Sequence, residues 1–168
     1  MKEIYFAGGC FWGTEHFMKM IDGVEDTEVG YANGQVENPT YQMVCTDKTG
    51  FAETVRVRYD EKKVDLPFLI GLYFKIIDPT SVNRQGGDRG TQYRTGIYCT
   101  DETELPVIRQ TVDQLARNYE RPVVVEVQPL ENFYPAETYH QDYLEKNPDG
   151  YCHVSPELFA LAKSAKKA

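Results

Sequence analysis

Cys10 stands in Ala7-Gly8-Gly9-Cys10-Phe11-Trp12-Gly13, where a short apolar run ends and helical spacing begins. A cysteine at a helix entrance faces the positive end of the backbone dipole and unpaired N–H groups, both of which favour thiolate over thiol. Cys10 is therefore a candidate nucleophile, set against the commoner fate of a lone cysteine as a buried structural thiol. Gly8, Gly9 and Gly13 favour the first reading, because glycines let another molecule approach the backbone closely. Glu53 is the candidate acid. By strand parity it shares a face with Val55, Val57 and Tyr59, where desolvation raises a carboxyl pKa and keeps the group neutral. The competing reading is a strand end from which the carboxylate reaches water. Phe11 and Trp12 suit a pocket for an apolar, polarisable group, or else a staple against the first helix. Asp88 and Tyr93 sit in or just after an irregular segment, 80–91, that reads as a functional surface loop.

The 4 cysteines, at 10, 45, 99 and 152, are too few for a disulfide scaffold, and no pair is spaced Cys-x-x-Cys. The 3 histidines, at 16, 140 and 153, form no ligand set, so no metal is assigned. Neither His140 nor His153 is placed to announce a base for Cys10, which makes a cysteine hydrolase a poor reading. Cys45 and Cys99 read as small core residues. Only Ile4 to Ala7 precede the glycine pair, too short for a signal peptide, so a cytoplasmic location with thiols reduced is expected.

These residues must be carried by one domain: 168 residues allow a single ordinary core. A net charge of -8 has the wrong sign for nucleic acid, and the longest mostly apolar stretch, Leu66 to Phe74, is about half of what a membrane span requires. Ile4 to Ala7, Thr27 to Tyr31, Ala52 to Tyr59, Thr95 to Cys99 and Val123 to Gln128 read as strands. A helix follows Cys10. A second is capped by Asp65 and runs to Ile77, a third starts at an Asp101/Glu104 capping box and runs to Tyr119, and a fourth starts at Pro135 and passes through Leu144. The connections between Thr27 and Tyr59 are too short for helical crossovers, so the sheet is expected to be partly antiparallel, in an α+β sandwich. Residues 1–150 are expected to form the catalytic domain and 151–168 a tail. A monomer is expected.

Gly8-Gly9-Cys10-Phe11-Trp12-Gly13 resembles the signature of the A-type peptide-methionine sulfoxide reductases. Gly30-Tyr31-Ala32-Asn33-Gly34, Tyr41, Thr49-Gly50-Phe51-Ala52-Glu53, Asn83-Arg84-Gln85-Gly86, Asp88 to Arg94, Tyr134-Pro135-Ala136-Glu137 and Tyr139-His140-Gln141 resemble further family blocks, in family order. The resemblance implies a ferredoxin-like two-layer sandwich with added elements. It implies that Cys10 attacks the sulfur of a methionine S-sulfoxide, free or in a peptide, while Glu53 protonates the oxygen. Tyr41 and Tyr93 would donate hydrogen bonds to that oxygen, Asp88 would organise them, and Phe11 with Trp12 would cradle the methyl group. Cys10 would become a sulfenic acid, Cys152 would resolve it as a Cys10–Cys152 disulfide, and thioredoxin would reduce the disulfide, with no cofactor. Phe51 replaces a usual His, Asp47 a Gly, Gly87 an Asn and Thr95 a Ser. Two other readings remain at this point: an acyl transferase or hydrolase using Cys10, and a redox-sensing module without catalysis.

Overall fold

A computed structural model describes residues 1–166. Strand β1 (Lys2–Gly8) is buried over its last five residues and stops at Gly9, whose φ of +84° is left-handed backbone that a side chain would strain. The turn releases α1 (Phe11–Lys19) with Cys10 as its N-cap. Next comes β2 (Val24–Ala32), then a long excursion carrying the short helix α2 (Tyr41–Cys45), whose cap Thr40 accepts from the Met43 N–H. Strand β3 (Ala52–Tyr59) runs between β1 and β2 and is antiparallel to both. Helix α3 (Leu66–Phe74) begins where Asp65 accepts from the Phe68 N–H, with Pro67 in its first turn.

The segment 80–91, expected as irregular loop, contains a small hairpin of β4 (Arg84–Gln85) and β5 (Asp88–Arg89). A one-turn 3-10 helix at Thr91–Tyr93 leads into β6 (Thr95–Cys99), which is buried throughout. Asp101 accepts from Thr103 rather than closing a box with Glu104, and a 3-10 turn precedes α4 (Leu105–Ala116). Strands β7 (Glu126–Pro129) and β8 (Phe133–Pro135) then complete a six-stranded sheet in the order β7-β6-β1-β3-β2-β8. All pairs are antiparallel except β6 with β7. The run β1-α1-β2-β3-α3-β6 with its strands ordered β6-β1-β3-β2 is the ferredoxin-like α+β arrangement, and β7 and β8 extend its two edges.

Two expectations fail near the C-terminus. The helix expected from Pro135 is not there: Pro135 ends β8 on the sheet edge, where its missing N–H costs no ladder bond, and α5 (Tyr143–Lys146) is only four residues long. Residues 151–166 are more than a tail, since α6 (Pro156–Ser164) follows Cys152 and buries Ala162, with Val154 buried just before it. Cys45 is also misplaced by the sequence: it lies exposed at the end of α2, whereas Cys99 is buried as expected.

The main core fills the sheet face under the helices, with Ile4, Phe6, Val29, Val55, Val57 and Ile97 inside it. On the opposite face Tyr5, Ala7, Ala32, Ala52 and Tyr98 form a smaller cluster under Phe133 and Leu130. Strand β8 lies against β2 so closely that a Cβ on Gly30 would come 2.5 Å from the Phe133 ring and from the Tyr134 carbonyl oxygen. Backbone cannot yield as a flexible side chain does. Gly30→Ala is expected to cost about 1–3 kcal/mol, read as a lower urea midpoint at unchanged slope.

Candidate active site

Cys10 is held by the turn between β1 and α1. The Thr14 hydroxyl, one helical turn on, lies 3.2 Å from the Gly8 carbonyl and 3.4 Å from that of Cys10, and fastens the turn to α1. The backbone N–H of Phe11 donates to Glu53 Oε1 at 3.2 Å, which brings the carboxyl group of β3 beside the helix entrance. Glu53 is 1% exposed, and its Oε2 has no hydrogen-bond partner within the protein. Burial pushes its pKa up to about 8, against the pull of the Phe11 N–H. Phe51, in place of the usual His, is buried two residues away with its ring edge-on to Tyr134, so the surroundings of Glu53 are apolar on that side.

The thiol behaves differently from the sequence expectation of a lowered pKa. Burial pushes Cys10 well above the ordinary cysteine value, and charge on Glu53 would push it further. The N–H of Trp12 pulls in the expected direction, but the helix end acts on a sulfur that is only 7% exposed, and desolvation outweighs it. Near neutrality both Cys10 and Glu53 therefore hold their protons.

Around this pair the aromatic groups form a cage whose centre the sequence did not reveal. Phe11, expected at a solvent-facing turn, is buried, and its ring tilts against Tyr31 and against His140. Trp12 stacks flat on Tyr143 with ring centroids 3.8 Å apart, and its indole N–H donates to His140 Nδ1 at 3.0 Å. Tyr41 and Tyr139 also pack on the His140 ring, at 4.4 Å and 4.1 Å. Glu137, three residues before His140, accepts from the Tyr31 hydroxyl and from the Tyr41 N–H and so fixes the start of α2. Spacing of Glu137 and His140 by one 3-10 turn is the local signal that could have drawn the two together.

Helix α1 also fastens this C-terminal segment, through the buried Glu15 and the partly exposed Lys19. Glu15 accepts from the Asp142 N–H, and Lys19 pairs with Asp142 and Glu145. Burial holds His140 below the ordinary histidine value, so its ring is neutral at pH 7 and free to accept from Trp12. Protonation on acidification would remove that acceptor. Trp12 is the 1 tryptophan of the chain, so its emission should change with a midpoint below about 6.5. In His140→Gln that step should be absent.

Tyr93 and Asp88 come to the same site from the hairpin side. Burial raises the Tyr93 pKa, and the charges of Glu53, Asp88 and Cys10 add to the rise, so its hydroxyl keeps its proton in the neighbourhood of all three. Tyr41 is likewise raised by burial and by Glu53. Asp47 accepts from the N–H and hydroxyl of Thr91 and so ties the end of α2 to the turn that carries Tyr93. Cys152 lies over the first turn of α1: a Cβ on Gly13 would sit 3.1 Å from its Sγ. It is half-buried and lines a groove of about 580 Å³ with His16, Leu144, Pro148 and Phe159. Among the described residues no group of three His, Cys, Asp or Glu could hold a metal ion, and no helix is long and apolar enough to cross a membrane.

The family model described as peptide methionine sulfoxide reductase matches residues 2–168. This chain belongs to that family. The peptide methionine sulfoxide reductase MsrA of Clostridium acetobutylicum is 58% identical over 158 residues, covering 94% of this chain and 98% of that protein. The crystal structure of Mxr1 from Saccharomyces cerevisiae in reduced form superposes with a TM-score of 0.87 at 39% identity, covering 92% of this chain and 91% of that one. Mxr1 in complex with Trx2 gives a TM-score of 0.61 at 28% identity over 84% of each chain. Every element that carries a candidate residue, from β1 to the segment before α6, lies inside the residues that the family model matches.

Proposed function

We propose that this member of the reductase family reduces methionine S-sulfoxide, free and in peptides, with Cys10 as nucleophile and Glu53 as acid. The observation that carries the reading is the buried Glu53 carboxyl group, held by the Phe11 N–H at Oε1 and left without a partner at Oε2, beside Cys10, with burial pushing both groups toward their protonated forms. A sulfoxide oxygen entering between Glu53, Tyr41 and Tyr93 meets three donors. Glu53 gives its proton to that oxygen, which makes the substrate sulfur electrophilic, and the Cys10 thiol proton returns to Glu53 as the sulfur–sulfur contact forms. The oxygen, now a hydroxyl, passes to Cys10. Methionine leaves, Cys10 is a sulfenic acid, and Glu53 is again protonated, so no proton is drawn from solvent. Phe11 and Trp12 supply the apolar wall against which a methyl group and sulfur pack.

Cys152 attacks the sulfenic sulfur and closes a Cys10–Cys152 disulfide. The groove beside Cys152 supports delivery of that disulfide to a thioredoxin, as does the yeast relative found in complex with Trx2. The electrons thus come from an external dithiol and no bound cofactor is required. The four thiols, all free, suit a reducing compartment such as the cytoplasm. An acyl-transfer reading would want a base on Cys10, whereas the groups that face it are donors to an oxygen.

The test uses purified full-length protein, dithiothreitol and separate S and R epimers of a methionine sulfoxide peptide, with methionine counted by mass spectrometry. Turnover of the S epimer, none of the R epimer and none by Cys10→Ser are expected. Equal reaction of Cys10→Ser and the parent protein would defeat the proposal.

A further inference from the structure

His153 takes no part in the chemistry above, yet its ring is wedged into the site. A Cβ on Gly13 would sit 3.3 Å from His153 Cε1, and one on Gly9 would sit 3.7 Å from Nε2. The same Gly13 position lies 3.1 Å from Cys152 Sγ, so the imidazole edge and the resolving thiol share the bare first turn of α1. Gly9 is the residue immediately before Cys10. The ring therefore shares this turn with the resolving thiol and borders the backbone that leads into Cys10.

Both ring nitrogens are buried, and neither makes a well-formed hydrogen bond, although the Gly8 carbonyl attracts the ring N–H from a longer range. A buried polar atom without a good partner is costly and calls for a reason. Burial holds the imidazole below its ordinary pKa, with Asp88 and the Gly8 carbonyl pulling the other way, so near neutrality the neutral ring offers one nitrogen as an acceptor and the other as an N–H donor held only loosely toward the Gly8 carbonyl. Burial also raises the Cys152 pKa, so the resolving sulfur is a thiol that must lose a proton before it attacks.

Resting on the reductase reading, we propose that His153 is the proton carrier for disulfide closure between Cys152 and Cys10. The Cys152 sulfur attacks the Cys10 sulfur, the sulfur–oxygen bond of the sulfenic acid breaks, and the hydroxyl leaves as water. One nitrogen takes the Cys152 thiol proton while the other supplies the proton that completes the water. Cys152 is oxidised, the Cys10 sulfur is reduced by the same pair of electrons, and no further oxidant is needed.

The experiment mixes fully reduced protein with one equivalent of methionine S-sulfoxide without reductant, then quenches at intervals to count methionine and Cys10–Cys152 disulfide separately. In His153→Ala and His153→Gln, closure should fall behind methionine release by about 10²-fold or more. Added imidazole should restore part of the closure rate in His153→Ala, which loss of packing alone would not allow. Closure at the parent rate in both variants overturns the role, and so does slow closure in His153→Ala with normal closure in His153→Gln. Failure of the parent protein to release methionine would instead sink the reductase reading itself.

Discussion

Glu53→Gln should slow methionine release in a single turnover by about 10²–10⁴-fold. The amide keeps the shape, can still accept from the Phe11 N–H, and can still donate a hydrogen bond to an oxygen, but it cannot hand over a proton. The pH dependence separates this loss from a general defect. Because the acting form of Glu53 is the protonated one and its pKa stands at about 8, the parent protein should lose first-step rate as pH rises through about 8. The variant should show no such limb. Stability gives an independent control. A folded pKa of about 8 against an ordinary 4.5 means that the folded chain holds a proton the unfolded chain has lost across that window. Stability therefore falls as pH rises from the lower value to the upper one, and Glu53→Gln, which lacks the charge, should be at least as stable as the parent above neutrality. Quenched-flow methionine assays with urea melts at matched pH check both. An unchanged first-step rate takes Glu53 out of the reaction.

Cys152→Ser should convert a catalytic cycle into one event. One equivalent of methionine should appear per protein, after which thioredoxin gives no further product and Cys10 accumulates as a sulfenic acid that dimedone traps. The size of the effect follows from the placement of the other thiols. Cys99 is buried in β6 on the core face, and Cys45 is exposed at the end of α2, so neither shares the bare turn of α1 where Cys152 lies. Thioredoxin-driven steady turnover by Cys152→Ser would show that another thiol resolves Cys10.

The parts of this site that were legible in the sequence are those fixed by local rules. The alternation of β3 placed Glu53 inward, the glycine pair placed Cys10 at a helix entrance, and Asp65 with Pro67 announced α3. What was illegible depends on distant segments. Tyr31 and Glu137 are 106 positions apart and meet because β8, three residues long and without any period, pairs with β2. His140 arrives in the cage by the same pairing. The Cys10 pKa was misjudged for a related reason: the helix end is a local property, whereas burial to 7% needs the whole fold. Helix α6 is different, because its signal was present. Ser155-Pro156 followed by Leu158, Phe159, Leu161 and Ala162 has a cap residue, a first-turn proline and helical apolar spacing.

The proton on Cys10 has a consequence for survival in an oxidising cell. Alkylating agents and peroxide react with thiolates, and a buried, protonated sulfur offers them little. On the proposed mechanism, a sulfoxide oxygen that draws the Glu53 proton leaves the carboxylate that can then receive the Cys10 proton. The attacking form of the sulfur would then be made by the substrate on arrival, and between turnovers the reactive atom would rest as a buried thiol.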